Sequence, residues 1–178
     1  MGRGLQKLLY GLCKVMEKEI MFENILSTLD TKRPSIGEQI YEHFLYDMMT
    51  GTITGHVVEL NGKVIVPDEI KGVEIRTIGA GAFANCTGIT SVEIKDGVAE
   101  IETGAFSGCG SLIDLKLPAK LKYIGEGAFM GCGSLADISI PDGTVHIAER
   151  AFYGCDLHGK IKLPASVEYV ADDAFGSD

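Results

Sequence analysis

Phenylalanine stands at Phe83, Phe106, Phe129, Phe152 and Phe175, a constant step of 23 residues, and no other feature limits the possible folds of this chain so tightly. Other columns keep the same phase. An alanine precedes each ring (Ala82, Ala105, Ala128, Ala151, Ala174), and five residues before each stands Ile78, Ile101, Ile124, Ile147 or Val170. Cysteines follow at Cys86, Cys109, Cys132 and Cys155. A fixed period of roughly 20–50 residues specifies stacked repeats, because one such unit cannot cover its own apolar face and buries it against its neighbours.

Within each period a short strand is expected after the cysteine. Leu112 to Pro118 and Leu135 to Pro141 both end in an alternation, as in Leu115-Lys116-Leu117, that sends apolar side chains to one side and the charged one to the other. Pro118, Pro141 and Pro164 stop these strands, since proline has no amide to give a ladder. The stretch Gly127-Ala128-Phe129-Met130 is too short for a helix and reads as a tight connector.

The run Ile-x-x-x-Ala-Phe-x-x-Cys-x-x-Leu-x-x-Ile-x-Ile-Pro resembles the BspA-like subfamily of leucine-rich repeats, and the likeness covers residues 77–178 as four full repeats and a partial fifth. It implies a repeat solenoid of short parallel strands and tight connectors. It also implies a recognition module, of a kind often found on microbial cell surfaces. The sequence departs from commoner leucine-rich repeats at Gly97, Lys120, Gly143 and Ser166, where those carry Asn or Cys, and His158 replaces the Leu of its column. Val64-Ile65-Val66-Pro67 reads as an earlier strand of the same kind, which makes residues 51–76 the opening turn of the solenoid.

Stacked parallel strands bring residues 23 apart into register at about 4.8 Å per step. The outward columns are then Ser91, Asp114, Asp137, Lys160 and Glu93, Lys116, Ser139, Lys162, and these eight residues are the candidate partner-binding set. The face they form is polar, mixed in charge and free of aromatics. Four or five strands about 20 Å long give it ~400 Å², against about 800 Å² per partner in a standard interface. Flanking loops, the amino-terminal segment or oligomerisation must supply the rest.

Residues 1–50 lack the period. Leu5, Leu8, Leu9, Leu12 and Met16 follow helical spacing, and Ser35-Ile36-Gly37-Glu38 has the form of a capping box ahead of a stripe of Ile36, Ile40, Phe44 and Met48. A helical amino-terminal cap or arm is therefore expected, covering the open apolar end of the first turn. Lys14 interrupts the apolar run that begins at Leu8, far short of the roughly 20 residues that span a bilayer, and neither a signal peptide nor a myristoylation pattern is present. As written the chain is expected to be cytoplasmic, and at the cell surface if its native start differs.

The charge balance narrows the partners. Sixteen Lys plus Arg against 25 Asp plus Glu give a net charge of −9, which argues against nucleic acid, whose affinity rests on clustered positive charge. Another protein is the expected partner, with a homodimer through an open solenoid end or the amino-terminal helices as a further possibility. The cysteines read as buried apolar fillers, because their Cβ vectors run parallel and no Cys-x-x-Cys pair offers zinc ligands. Gly79-x-Gly81-x-x-Ala84 fits a loose dinucleotide fingerprint, but the repeat explains it and leaves no room for a crossover helix. His43, His56, His146 and His158 read as surface or packing residues, and Ser111 and Ser134 as turn residues. No set fills the nucleophile, base and oxyanion-donor roles, so no enzyme, cofactor or metal site is expected.

Overall fold

The computed structural model describes residues 38–41, 43–158 and 161–176. In chain order the strands among them are β1 (Glu38–Tyr41), β2 (Phe44–Asp47), β3 (Thr52–His56), β4 (Gly62–Val66), β5 (Glu69–Ile70) and β6 (Val73–Glu74). They continue as β7 (Thr77–Ile78), β8 (Ile89–Ile94), β9 (Glu100–Ile101), β10 (Asp114–Lys116), β11 (Tyr123–Ile124), β12 (His146–Ile147) and β13 (Tyr169–Val170). An eight-stranded sheet runs in the order β1-β2-β3-β7-β9-β11-β12-β13, antiparallel through β3 and parallel from there on. A short sheet, β10-β8-β4, forms another side of the coil, and β5 and β6 make a small hairpin between them in sequence. Among the described residues no helix is long and apolar enough to cross a membrane.

The 23-residue step becomes a register. Ile78 pairs with Ile101, Ile101 with Ile124, Ile124 with Ile147 and Ile147 with Val170. The connectors join coils in the same way. Gly104, Phe106 and Gly108 donate their amides to the carbonyls of Glu126, Ala128 and Met130 in the next coil at 2.7–2.8 Å, while Ala105, Ser107 and Cys109 donate back into their own turn at 3.0–3.3 Å. This alternation gives every connector amide a partner inside the protein, as burial demands. It also needs left-handed backbone at two places per coil. Gly81, Gly104 and Gly127 supply the first, with Arg150 holding the same place at φ 54°; Asn85 (φ 59°), Gly108, Gly131 and Gly154 supply the second.

The core is a set of columns. Phe83, Phe106, Phe129 and Phe152 are fully buried, and their rings stack at centroid spacings of 4.9, 5.2 and 5.1 Å, with Phe175 continuing at 5.3 Å. Ala105, Ala128 and Ala151 are fully buried beside them, where a larger side chain would push the coils apart. Each later thiol donates to the Phe carbonyl of the preceding coil: Cys109 Sγ to Phe83 O (3.1 Å), Cys132 to Phe106 O (3.3 Å) and Cys155 to Phe129 O (3.2 Å). The buried free thiols therefore fill the core and also bond one coil to the next.

Two sequence expectations change. The helix read from Ile36, Ile40, Phe44 and Met48 is instead the β1–β2 hairpin. Phe44 and Tyr46 are buried on alternate positions of β2, and the Phe44 ring meets Phe83 edge-on at 5.9 Å. Docking on the first coil favours that period of two over the local helical spacing. The helix expected over Leu5 to Met16 lies outside the described residues. The stretch 51–76 holds β3 to β6, with β3 pairing in parallel with β7 and β4 with β8. Lastly, Ala136 to Ile140 is not a ladder strand, and the short sheet ends at β10. There the coils stay joined through the eight-stranded sheet and the connectors, which run on without a break.

Two substitutions test this packing. Phe129→Ala is expected to lower the unfolding free energy by about 3–5 kcal/mol in urea titrations, by leaving a gap in the middle of the ring column. Thr144 is fully buried in a column that holds Val98 and Leu121, and its hydroxyl has no hydrogen-bond partner among the described residues. Thr144→Val is therefore expected to raise stability by about 1–2 kcal/mol, since it removes an uncompensated polar group without changing shape.

Candidate functional site

The outward side chains of the short sheet come from alternation along Val64–Val66 of β4, Ser91–Ile94 of β8 and β10. Val64 and Val66 of β4 and Val92 and Ile94 of β8 are buried, which sends the intervening residues outward. Register then sets Lys63 beside Ser91 and Ser91 beside Asp114, with Ile65 beside Glu93 and Glu93 beside Lys116 in the neighbouring column. Six of the eight candidate residues, Ser91, Glu93, Asp114, Lys116, Asp137 and Ser139, line one shallow groove of about 370 Å³. Lys63, Val92, Ile113, Leu115 and Ile138 complete its lining. Lys162 is exposed but is not part of that lining, and Lys160 lies outside the described residues.

Charge in the groove is organised around Glu93. Its carboxylate meets Lys95 Nζ at 2.6 Å, Lys63 Nζ at 2.9 Å and Lys116 Nζ at 3.4 Å. Hydrogen bonds from Lys95 and Lys63 hold its pKa down at about 2, and the bond to Glu93 raises that of Lys95. Three ammonium groups around one carboxylate leave this end of the groove positive. Asp114 and Asp137, exposed further along, take part in no ion pair among the described residues. Ile113, 57% exposed, comes just before Asp114 in the same lining. The groove can thus offer an extended polypeptide opposite charges at its two ends and an apolar contact beside the acidic one.

Sequence reasoning missed two of the three lysines. Lys63 stands opposite Ser91 but 28 residues before it, so the first coil carries extra residues and the 23-residue step does not reach it. Lys95 belongs to no outward column and reaches Glu93 from two positions along the same chain. A second depression of about 470 Å³ lies beside β4, with Phe44, Leu60 and Val64 in its lining and His43, Glu59, Asn61 and Lys63 as its polar groups.

The remaining chemistry-bearing residues are engaged in structure. Gly79 and Gly81 donate their amides to Ile53 O (2.8 Å) and Thr103 O (3.0 Å), so the glycine pair of the loose nucleotide fingerprint has no free amides to give a phosphate. Ser134 Oγ donates to Gly110 O at 2.7 Å. Burial pushes the Cys86 thiol up and the Cys109 thiol up to about 11, which keeps both protonated and weakly nucleophilic, while the hydrogen bond between Cys132 and Cys155 raises the first of that pair and lowers the second. His56 stacks on Phe83 with a 5° interplanar angle, and its Nε2 lies 3.1 Å from Cys86 Sγ. His158 lies 3.3 Å from Asp156. Among the described residues no three His, Cys, Asp or Glu side chains are grouped to hold a metal ion.

With this geometry in place, comparison with known proteins is informative. The family profile described as BspA type leucine rich repeat region matches residues 65–178 in six copies. A leucine-rich repeat protein of T. pallidum is similar in structure over 78% of this chain and 66% of its own, at 29% identity and TM-score 0.73. A leucine rich cell surface protein of Faecalibacterium prausnitzii is similar over 80% of this chain and 37% of its own (28% identity, TM-score 0.71). For a leucine-rich repeat protein of Bacteroides ovatus the values are 77% and 38%, with 31% identity and TM-score 0.68. The chain thus spans just under two thirds of the first of these proteins and less than two fifths of the others. Comparison with curated proteins found no match.

The Glu93 cluster makes stability depend on pH in a defined direction. Its folded pKa of about 2 lies below the ordinary value of 4.5, so the contribution is complete above about pH 4.5 and is lost as pH falls toward 2. Glu93→Gln is expected to lower the urea midpoint slightly at pH 7, the pairs being surface ones, and to match the parent near pH 2. A midpoint difference that does not change with pH would remove this role.

Proposed function

This chain belongs to the BspA-type leucine-rich-repeat family, and from that footing we propose that it is a non-enzymatic protein-interaction module whose contact surface is the outward face of the short sheet. The observation that carries this reading is the convergence of six column residues, from Ser91 to Ser139, on one groove with Ile113 exposed among them. A wall of alternating charge around exposed aliphatic side chains suits an extended segment of another protein, since charges fix register and direction while the apolar contact gives affinity. The groove alone is smaller than the roughly 800 Å² a standard interface takes from each partner. The depression beside β4, which shares Lys63 with it, extends the surface toward that size.

One relative supports a second reading of setting rather than chemistry. The Faecalibacterium prausnitzii neighbour is described as a cell surface protein, and an exported adhesin that meets host protein or glycan would use the same kind of face. A small-molecule site is less well supported, because the groove is shallow and open rather than enclosing.

Capture of a partner on the immobilised chain, followed by identification of what is bound, tests the interaction reading. Asp114→Lys with Asp137→Lys is expected to weaken a captured partner at least tenfold in calorimetric titration while the far-ultraviolet spectrum stays unchanged. Unchanged affinity would move the contact off this face.

A further inference from the structure

The eight-stranded sheet carries a feature that the groove does not use. On its outward side Tyr123, His146 and Tyr169 occupy one column, and their rings stack on each other at 5.0 and 4.5 Å with interplanar angles of 23° and 16°. Tyr123 is 36% exposed and Tyr169 43% exposed. Exposed tyrosines are the side chains most often found as anchors in protein interfaces. Here stacking has already fixed their rotamers in the free chain, which lowers the entropy lost on binding.

Three residues further along each of the same coils stand Glu126, Glu149 and Asp172, all exposed, none in an ion pair among the described residues. The two columns touch: Tyr169 Oη donates to Glu149 Oε1 at 3.2 Å. The nearby cations are engaged elsewhere, Lys122 Nζ on Gly143 O at 3.0 Å and Arg150 on Asp173 at 3.4 Å. Like charges held one coil apart repel each other, and the tyrosine rings beside them are partly exposed.

We propose that this aromatic and acidic face of the eight-stranded sheet is a second interaction surface, and that its partner is a basic, extended segment of polypeptide. Charge complementarity selects the partner. Long basic side chains lay their methylene stems on apolar surface and keep their charged heads free, so stems on the ring edges bring the heads to the carboxylate column. An extended chain places same-face side chains about 6.7 Å apart. The stack extends over two centroid steps of 5.0 and 4.5 Å, so three alternate basic residues, about 13 Å from first to last, cover it. This surface and the groove ask for different probes, because lysines crowd one end of the groove while unpaired carboxylates flank the tyrosines.

The test is calorimetric titration of the full chain with a nonapeptide of alternating arginine and threonine, against a peptide of the same length in which glutamate replaces arginine. Saturable binding of the basic peptide alone is expected. Tyr123→Ser with Tyr169→Ser, and separately Glu149→Gln with Asp172→Asn, should each weaken it at least tenfold, while Lys116→Ala in the groove leaves it unchanged. A basic peptide that binds no better than the acidic one would overturn the proposal. So would full affinity in the tyrosine variant, which would mean that bulk negative charge alone attracts the peptide. Imidazole resonances of the unsubstituted chain give a measurement independent of any variant's folding. His146 should shift on titration, and movement confined to His43 and His158 would place the peptide elsewhere.

Discussion

Each coil of this protein depends on the next through one constraint: alternate amides of a connector must find carbonyls of the next coil, 22 residues on. Phe106 to Ala128 and Phe129 to Ala151, at 2.7 and 2.8 Å, are two rungs of that arrangement. Once the rungs are set, the ring column, the isoleucine column and the thiols stack without further choice. A buried polar backbone without such partners would cost more than the ring contacts return. The same constraint explains the places of left-handed backbone, since the connector closes on itself only if two residues per coil turn that way.

The amino-terminal end of the described coils shows how such a stack is closed. Cys109, Cys132 and Cys155 give their thiol protons to a Phe carbonyl one coil earlier. Cys86 has no such Phe before it, and its sulfur faces His56 Nε2 instead. The same imidazole stacks flat on Phe83, while its Nδ1 lies 2.8 Å from Val58 O. One histidine thus supplies both the missing ring and the missing acceptor, and Phe44 covers Phe83 edge-on from β2.

Side-chain columns made the solenoid legible in the sequence, because the ring, alanine, isoleucine and cysteine positions are buried in each of the first four repeats. What escaped was whatever changes from coil to coil. The strands of the long parallel ladder are two residues each, too short for an alternation to show, and their outward member is in turn Thr77, Glu100, Tyr123, His146 and Tyr169. The aromatic stack was hidden for that reason, although the shared column of His146 with both tyrosines was visible. The β1–β2 hairpin was hidden differently, since Ile40, Phe44 and Met48 fit a helix locally and only contact with the first coil decides otherwise. In the groove the step of 23 placed Ser91 with Asp114 and Glu93 with Lys116 correctly, and it failed at Lys63, where the first coil is longer.

The repeated contact has an evolutionary side. Since the surface above a coil is of the same kind as the surface below it, excising or copying 23 consecutive residues within the regular part rejoins faces that already fit. Unequal recombination can then lengthen or shorten such a protein without inventing a new core. Reach and the number of displayed side chains become heritable quantities that vary in whole units, while the chemistry of any one row can drift on its own.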